Sequence, residues 1–178
     1  MTISPVYSGR PKEIRDFLEQ RVYDLLDELN IPYERVAHDA AYDMGACVVI
    51  SKVLGVRICK NLLLTPRNRS AFYLLAMPDD LPFRTADFSK IIGSSRLSFA
   101  TEEDLRDLLG VQIGSASVLG LMNDTEHRVT LAMERRVADA EWFGCHPCRN
   151  TSSLRLKTSD LLHVFLPHIG CTPVIVDL

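Results

Sequence analysis

No stretch of the 178 residues approaches the length of a membrane span. The longest apolar runs, such as Cys47-Val48-Val49-Ile50 and Leu62-Leu63-Leu64, fall far short of the ~20 residues a transmembrane helix needs. Residues 1–10 lack an apolar h-region and a small-residue cleavage site, which argues against secretion and makes the cytoplasm the expected compartment. A positive excess is missing too. The net charge of −3 leaves few cations for wrapping long nucleic-acid backbones, so no DNA partner is expected, whereas a short single-stranded end remains compatible. Neither a linker nor an internal repeat divides the chain. Residues 1–178 are therefore expected to form one domain, with 1–10 as a loose N-terminal extension.

A disulfide framework is not indicated either. The five cysteines (Cys47, Cys59, Cys145, Cys148, Cys171) are odd in number and, in an intracellular chain, are expected as reduced thiols. Cys145 and Cys148 form a C-x-x-C pair, but a structural zinc site usually uses two such pairs, and no second exists. A thioredoxin-like motif would open a helix early in a βαβ unit, and this pair falls late in the chain. The expectation is no metal and no cofactor, with buried inert thiols; a metal or thiol protein centred on the pair is the rival.

What is present is an ordinary globular balance, 47% hydrophobic and 24% charged. Residues 11–29 place Ile14, Phe17, Leu18, Val22, Leu25, Leu26 and Leu29 at helical spacing, with Pro11 suited to a first turn. Pro32 forces an extended segment through Val36, and a second helix spans Met44 to Leu54 before Gly55, a left-handed stop. Val56–Thr65 and Ala71–Met77 read as a hairpin around Pro66-Arg67-Asn68-Arg69-Ser70. Thr85 is a candidate cap for a short helix to Ile92, and Arg96–Phe99 is a candidate strand. Thr101-Glu102-Glu103-Asp104 resembles a capping box for a helix ending at Gly110. Val129–Met133 suits a central strand, 161–166 a helix after Thr158-Ser159-Asp160, and Pro173–Val176 a final strand. Strands and helices do not alternate regularly, so the expected class is α+β with a mixed sheet rather than a doubly wound fold.

Alternation along the strand puts Lys60 in line with Val56, Ile58, Leu62 and Leu64, an unusual face for an ammonium. Desolvating a cation is costly, so Lys60 should meet a carboxylate or a ligand phosphate, or else snorkel to water. The loop from Gly114 through Ser115, Ser117 and Gly120 has a composition that can aim several backbone N–H groups at one anionic oxygen, although such loops are often simple turns. Residues 144–151 gather His146, two thiols, Arg149 and Asn150. His38, His127, His163 and His168 read as structural, and Arg135-Arg136 and Arg67-Asn68-Arg69 as solvated surface.

The order and wording of these segments resemble the YbaK/ProX family of aminoacyl-tRNA deacylases. The matching stretches are Cys59-Lys60-Asn61-Leu62-Leu63-Leu64, Phe72-Tyr73-Leu74-Leu75, Ser95-Arg96-Leu97-Ser98-Phe99-Ala100, Gly114-Ser115-Ala116-Ser117, Gly120-Leu121-Met122-Asn123-Asp124, and His146-Pro147 with Asn150-Thr151. They cover nearly the whole chain and are most similar to the PrdX-like branch, associated with Ala-tRNA(Pro) hydrolysis. One departure is Val118, where the family's glycine loop commonly carries a proline.

The resemblance implies a curved mixed sheet flanked by helices, with Lys60, Gly114 and His146 converging as the catalytic set. It implies Asn61, Ser115, Ser117, Gly120 and Asn150 as substrate-binding residues. The implied partner is the aminoacylated CCA end of a tRNA, with prolyl-tRNA synthetase as a candidate second partner. Hydrolysis of Ala-tRNA(Pro) is the expected reaction. Alternatives are a deacylase for Cys-tRNA(Pro) or Ser-tRNA(Ala), or a non-catalytic module that grips a tRNA end or a synthetase.

Overall fold

The computed structural model describes residues 1–13, 16–41 and 44–178. Its strands are β1 (Tyr7–Ser8), β2 (Tyr33–Ala37), β3 (Lys60–Pro66), β4 (Phe72–Met77), β5 (Leu97–Phe99), β6 (Val129–Glu134), β7 (Trp142–Cys145), β8 (Ser152–Lys157) and β9 (Val174–Val176). The helices are α1 (Phe17–Glu28), α2 (Met44–Leu54), α3 (Thr85–Ile91), α4 (Glu102–Leu109), α5 (Arg135–Ala138), α6 (Thr158–Asp160) and α7 (Leu166–His168), with a 3-10 helix at Val118–Asn123. This is the expected α+β class.

The strands divide into two sheets. One is mixed, in the order β5-β3-β4-β6-β9, antiparallel as far as β4 and parallel from β4 through β6 to β9. The other, β1-β2-β8-β7, is antiparallel throughout. β4 shows why the expected hairpin reads as continuous apolar sequence. Phe72, Leu74 and Ala76 join the main core, while Tyr73, Leu75 and Met77 pack with Phe88 of α3 on the opposite face. A strand covered on both faces has no polar alternation to show. The main core is completed by Val22, Tyr23 and Leu26 of α1, by Leu105 and Leu108 of α4, and by Leu154 and Leu156 of the second sheet. A third cluster packs Ile50 and Leu54 of α2 against Val36 and Ile58.

The two sheets meet at Gly144. Ile58 bridges Gly144, and the Cys59 N–H donates to the Gly144 carbonyl at 3.1 Å. A Cβ on Gly144 would lie 2.5 Å from the Arg57 carbonyl oxygen, so the approach requires a bare glycine.

Local signals placed several ends correctly. α2 has the expected bounds and stops at Gly55, whose φ is +70°. α4 opens on a capping box between Thr101 and Asp104 and closes on Gly110 at φ 70°.

Other expectations are corrected. α1 begins at Phe17 rather than near Pro11, because the Asp16 carboxylate accepts from Leu18 N–H at 2.9 Å and Glu19 N–H at 3.1 Å and so fixes the first turn. Phe17, expected on the apolar face, is 71% exposed, and Ile14 lies outside the described residues. The strand expected from Val56 starts at Lys60, since Val56 through Cys59 form the crossing at Gly144. Thr85 is the first helical residue, not the cap: Arg84 precedes it in extended geometry. Residues 1–10 are tied down rather than loose, for Ile3 bridges His38, Ser4 N–H donates to Ala37 O at 2.8 Å, and β1 pairs with β2. They satisfy the backbone groups of an otherwise open sheet edge. Between α6 and α7 the helix expected at 161–166 widens into a π turn, Leu161–Phe165, closed by Leu166 N–H on Leu161 O. Pro167 has no N–H with which to continue the ordinary ladder.

Candidate active site

The crossing at Gly144 decides which residues become neighbours. β7 ends at Cys145, so His146 emerges beside the start of β3, where Lys60 and Asn61 stand. A cavity of about 230 Å³ opens there, and its wall contains Lys60, Asn61, Gly114 and His146. Residues that sequence reasoning did not select complete it: Ala41, Cys47, Ile58, Cys59, Leu62 and Ala116. Small apolar side chains carry no chemical signature in a sequence, and no motif singles them out as pocket walls.

By the two-residue alternation of a strand, Lys60 and Asn61 leave β3 on opposite faces. They meet the same cavity because the strand edge between them is uncovered. β5 pairs with β3 only from Leu64 to Pro66, and the Leu63 carbonyl accepts from Ala100 N–H at 2.9 Å. Asn61, two residues before Leu63, turns its own N–H and C=O to that same edge, beyond the reach of β5. The Lys60 ammonium donates to the Leu81 carbonyl at 3.3 Å, and among the described residues no carboxylate pairs with it. Of the two anions expected for it, a protein carboxylate is thus not found among those residues. The Asn61 carboxamide donates to the Cys59 carbonyl at 3.2 Å, while its Oδ1 is buried without a partner among the described residues. An unpaired buried acceptor costs about 1–3 kcal/mol unless a ligand donates to it.

Gly114 has φ +81°, a backbone conformation that favours glycine, and the turn is closed by Ser115 N–H on Gln112 O at 3.0 Å. Ala116 joins Gly114 in the cavity wall, whereas Ser115, Ser117 and Gly120 do not line it. Ser115 is buried, and Ser117 is buried with its Oγ accepting from Leu119 N–H at 3.2 Å, which caps the 3-10 helix. A Cβ at Gly120 would lie 3.3 Å from Leu109, so Gly120 lets this helix approach the end of α4. Val118 is fully buried and opens that helix. Asn150 stands behind Gly114, its Nδ2 donating to the Ala41 carbonyl at 3.4 Å.

His146 is buried, with Nδ1 2.9 Å from the Ser152 carbonyl and 3.1 Å from Ser153 Oγ. The carbonyl can only accept, so Nδ1 carries the proton and Nε2 is left as the ring's acceptor. Burial pushes the His146 pKa down, and the Ser152 carbonyl opposes that only in part. The ring is neutral near pH 7. Arg149, three residues on, pairs with the Asp16 carboxylate and ties this loop to the cap of α1.

Burial pushes the Cys59 and Cys148 thiols up to about 12, and Cys145 well above its ordinary value. None is a thiolate nucleophile at neutral pH. Among the described residues no group of three or more His, Cys, Asp or Glu is placed to hold a metal. Arg135, Arg69 and Arg136 of the basic clusters pair with Asp177, Asp104 and Asp80. Among the described residues no helix is long and apolar enough to cross a membrane.

The chain belongs to the aminoacyl-tRNA editing domain family, whose model matches residues 38–164. It is 30% identical over 170 residues to prolyl-tRNA synthetase associated domain-containing protein 1 of Danio rerio, spanning 94% of this chain and 89% of that protein. It is 29% identical over 143 residues to the prolyl-tRNA editing protein ProX of Acetoanaerobium sticklandii, spanning 80% of this chain and 87% of the relative. Two solved structures share the fold. Hypothetical protein APE2540 superposes with a TM-score of 0.66 at 14% identity, over 88% of this chain and 98% of its own. A candidate trans-editing enzyme for prolyl tRNA synthetase superposes with a TM-score of 0.67 at 14% identity, over 93% of this chain and 99% of its own.

Proposed function

We propose that the protein is a trans-editing deacylase that hydrolyses the ester of mischarged tRNA, with Ala-tRNA(Pro) as its substrate. The observation that carries this reading is the single cavity walled by Lys60, Asn61, Gly114 and His146, which leaves an ammonium, a carboxamide oxygen and an imidazole nitrogen available to a ligand. Lys60 and Asn61 anchor the phosphate and ribose of the terminal adenosine. Water attacks the ester carbonyl, and backbone N–H groups of the Gly114 to Ser117 loop, other than that of Ser115, which is given to Gln112, stabilise the oxyanion that develops. The vicinal ribose hydroxyl assists, so no protein nucleophile takes part, in keeping with the suppressed thiols. Nε2 of His146 accepts a hydrogen bond from the attacking group and orients it.

A volume of about 230 Å³, walled by Ala41, Ala116, Ile58 and Leu62, suits a small amino acid. Such a pocket excludes a larger cognate side chain more readily than it separates two small ones, since one methylene is worth about 1–3 kcal/mol. The names of the relatives point to prolyl-tRNA and to a synthetase partner. With a net charge of −3, the protein benefits from a synthetase that presents the tRNA. The test is deacylation by purified protein of Ala-tRNA(Pro), Cys-tRNA(Pro) and Ser-tRNA(Ala), with Ala-tRNA(Pro) expected to turn over fastest. No turnover on any of them would leave a non-catalytic tRNA-end or synthetase-binding module.

A further inference from the structure

Behind His146 lies a hydrogen-bonded chain that the deacylation chemistry above does not use. Ser153 Oγ is 3.1 Å from His146 Nδ1 and 2.9 Å from His38 Nε2, and the two rings are 6.0 Å apart. His38 Nδ1 is 2.8 Å from the Asp39 carbonyl. Every proton in this chain has a determined place. The Asp39 carbonyl can only accept, so His38 carries its proton on Nδ1 and presents a bare Nε2. The Ser153 hydroxyl must therefore give its single proton to His38, and its lone pairs face His146. That arrangement admits a proton on His146 Nδ1, where the Ser152 carbonyl also waits at 2.9 Å, and disfavours the other tautomer. Ser153 is fully buried and both histidines nearly so, which keeps competing water away.

We infer that Ser153 and His38 are positioning residues: they hold His146 in the tautomer whose bare Nε2 faces the cavity. The inference rests on the deacylase reading for its kinetic consequence and on geometry alone for the tautomer. It assigns a role to two residues that touch neither the cavity nor the substrate.

Long-range 1H–15N correlation spectra of the histidine-labelled full chain read each ring's tautomer directly. His146 and His38 are both expected to be protonated at Nδ1 and bare at Nε2. A His146 protonated at Nε2 overturns the inference whether or not the protein is active. In single-turnover deacylation, Ser153→Ala and His38→Phe should each lower kcat by roughly 10-fold or more while KM stays within about two-fold. His38→Gln offers an amide oxygen in place of Nε2 and should recover most of the lost rate, which a merely structural role would not predict. Wild-type kcat in both Ser153→Ala and His38→Phe, or a His38→Gln protein as slow as His38→Phe, also overturns it. Circular dichroism of each variant separates slow enzymes from unfolded ones. A wild-type protein inert on all three substrates but showing the expected tautomers removes the deacylase reading and leaves the positioning geometry standing.

Discussion

A hollow larger than the cavity at Lys60 is the less promising of the two. A cleft of about 680 Å³ runs between α1 and the 3-10 helix, lined by Arg21, Asp24, Glu28, Met122, Asp124 and His127 among others, against about 230 Å³ for the cavity at Lys60. Key polar groups of the cleft are already engaged. Arg21 donates to Asn123 Oδ1 at 2.8 Å, and the Asp124 carboxylate accepts from the N–H groups of Arg128 at 3.1 Å and Val129 at 2.8 Å. In the small cavity, among the described residues, an amide oxygen has no partner, an ammonium has one carbonyl, and a buried imidazole keeps one nitrogen for whatever enters. Arg149 Nε and Thr158 Oγ1 are also buried without a partner among the described residues, but only Asn61 Oδ1 belongs to a residue of this cavity, and an unsatisfied group in a cavity wall marks a site better than volume does.

The sharpest break of that comparison is Lys60→Ala. Loss of the anchoring cation should cut deacylation kcat/KM by about 100-fold or more, while the melting temperature stays near wild type because the one hydrogen bond of the Lys60 ammonium among the described residues goes to the Leu81 carbonyl. Single-turnover rates and a thermal melt check both halves, and a variant that retains near-wild-type turnover would move the site elsewhere. Asp124→Ala reverses the pattern. It strips two backbone N–H groups of their acceptor, so the urea midpoint should fall by the equivalent of about 1–3 kcal/mol, with deacylation of the folded fraction unchanged.

The smallest effect belongs to the link between the two regions, where Asp16 caps α1 and pairs with Arg149 of the His146 loop. Burial acts to raise the Asp16 pKa, but Arg149 and the N–H groups of Glu19 and Leu18 outweigh it and hold the carboxyl below its usual range. The folded value therefore lies beneath the unfolded one of about 3.9, so the stabilisation is fully present above that pH and disappears as pH falls through the folded value. Asp16→Asn keeps a capping oxygen but removes the charge. It should cost about 0.5–1 kcal/mol at pH 7 and nothing once the wild-type carboxyl is protonated, as urea titrations at pH 7 and in acid would show.

Much of this molecule is legible one residue at a time. α2 and α4 end where Gly55 and Gly110 make them end, and the capping box at Thr101 is readable from four consecutive residues. Lys60 stands out by alternation alone, as an ammonium in line with Leu62 and Leu64. The reading failed where a competing partner came from farther away. Asp16 captured the start of α1 from Pro11, and β2 captured residues 1–10 through pairings that no local pattern announces. Within the glycine loop, composition alone could not tell Gly114, which reaches the cavity, from Ser117 and Gly120, which support the 3-10 helix behind it.

The amino-acid sequence by itself determined the α+β class, the principal helices and the β3–β4 hairpin, because propensity and capping act over a few neighbouring bonds; alternation singled out Lys60, while Gly114 and His146 stood out chiefly through the family resemblance. The tertiary structure alone decided that these three share one cavity. That outcome depends on Gly144, whose missing side chain lets Arg57 through Cys59 cross β7 at a distance that a Cβ would forbid. It also depends on where each polar atom finds its partner. The proton on His146 is fixed by Ser152, Ser153 and His38, and the vacancy at Asn61 Oδ1 by the absence of any donor within reach among the described residues. Hydrogen-bond satisfaction is a property of packed neighbours, and only the folded chain can say which groups are left wanting.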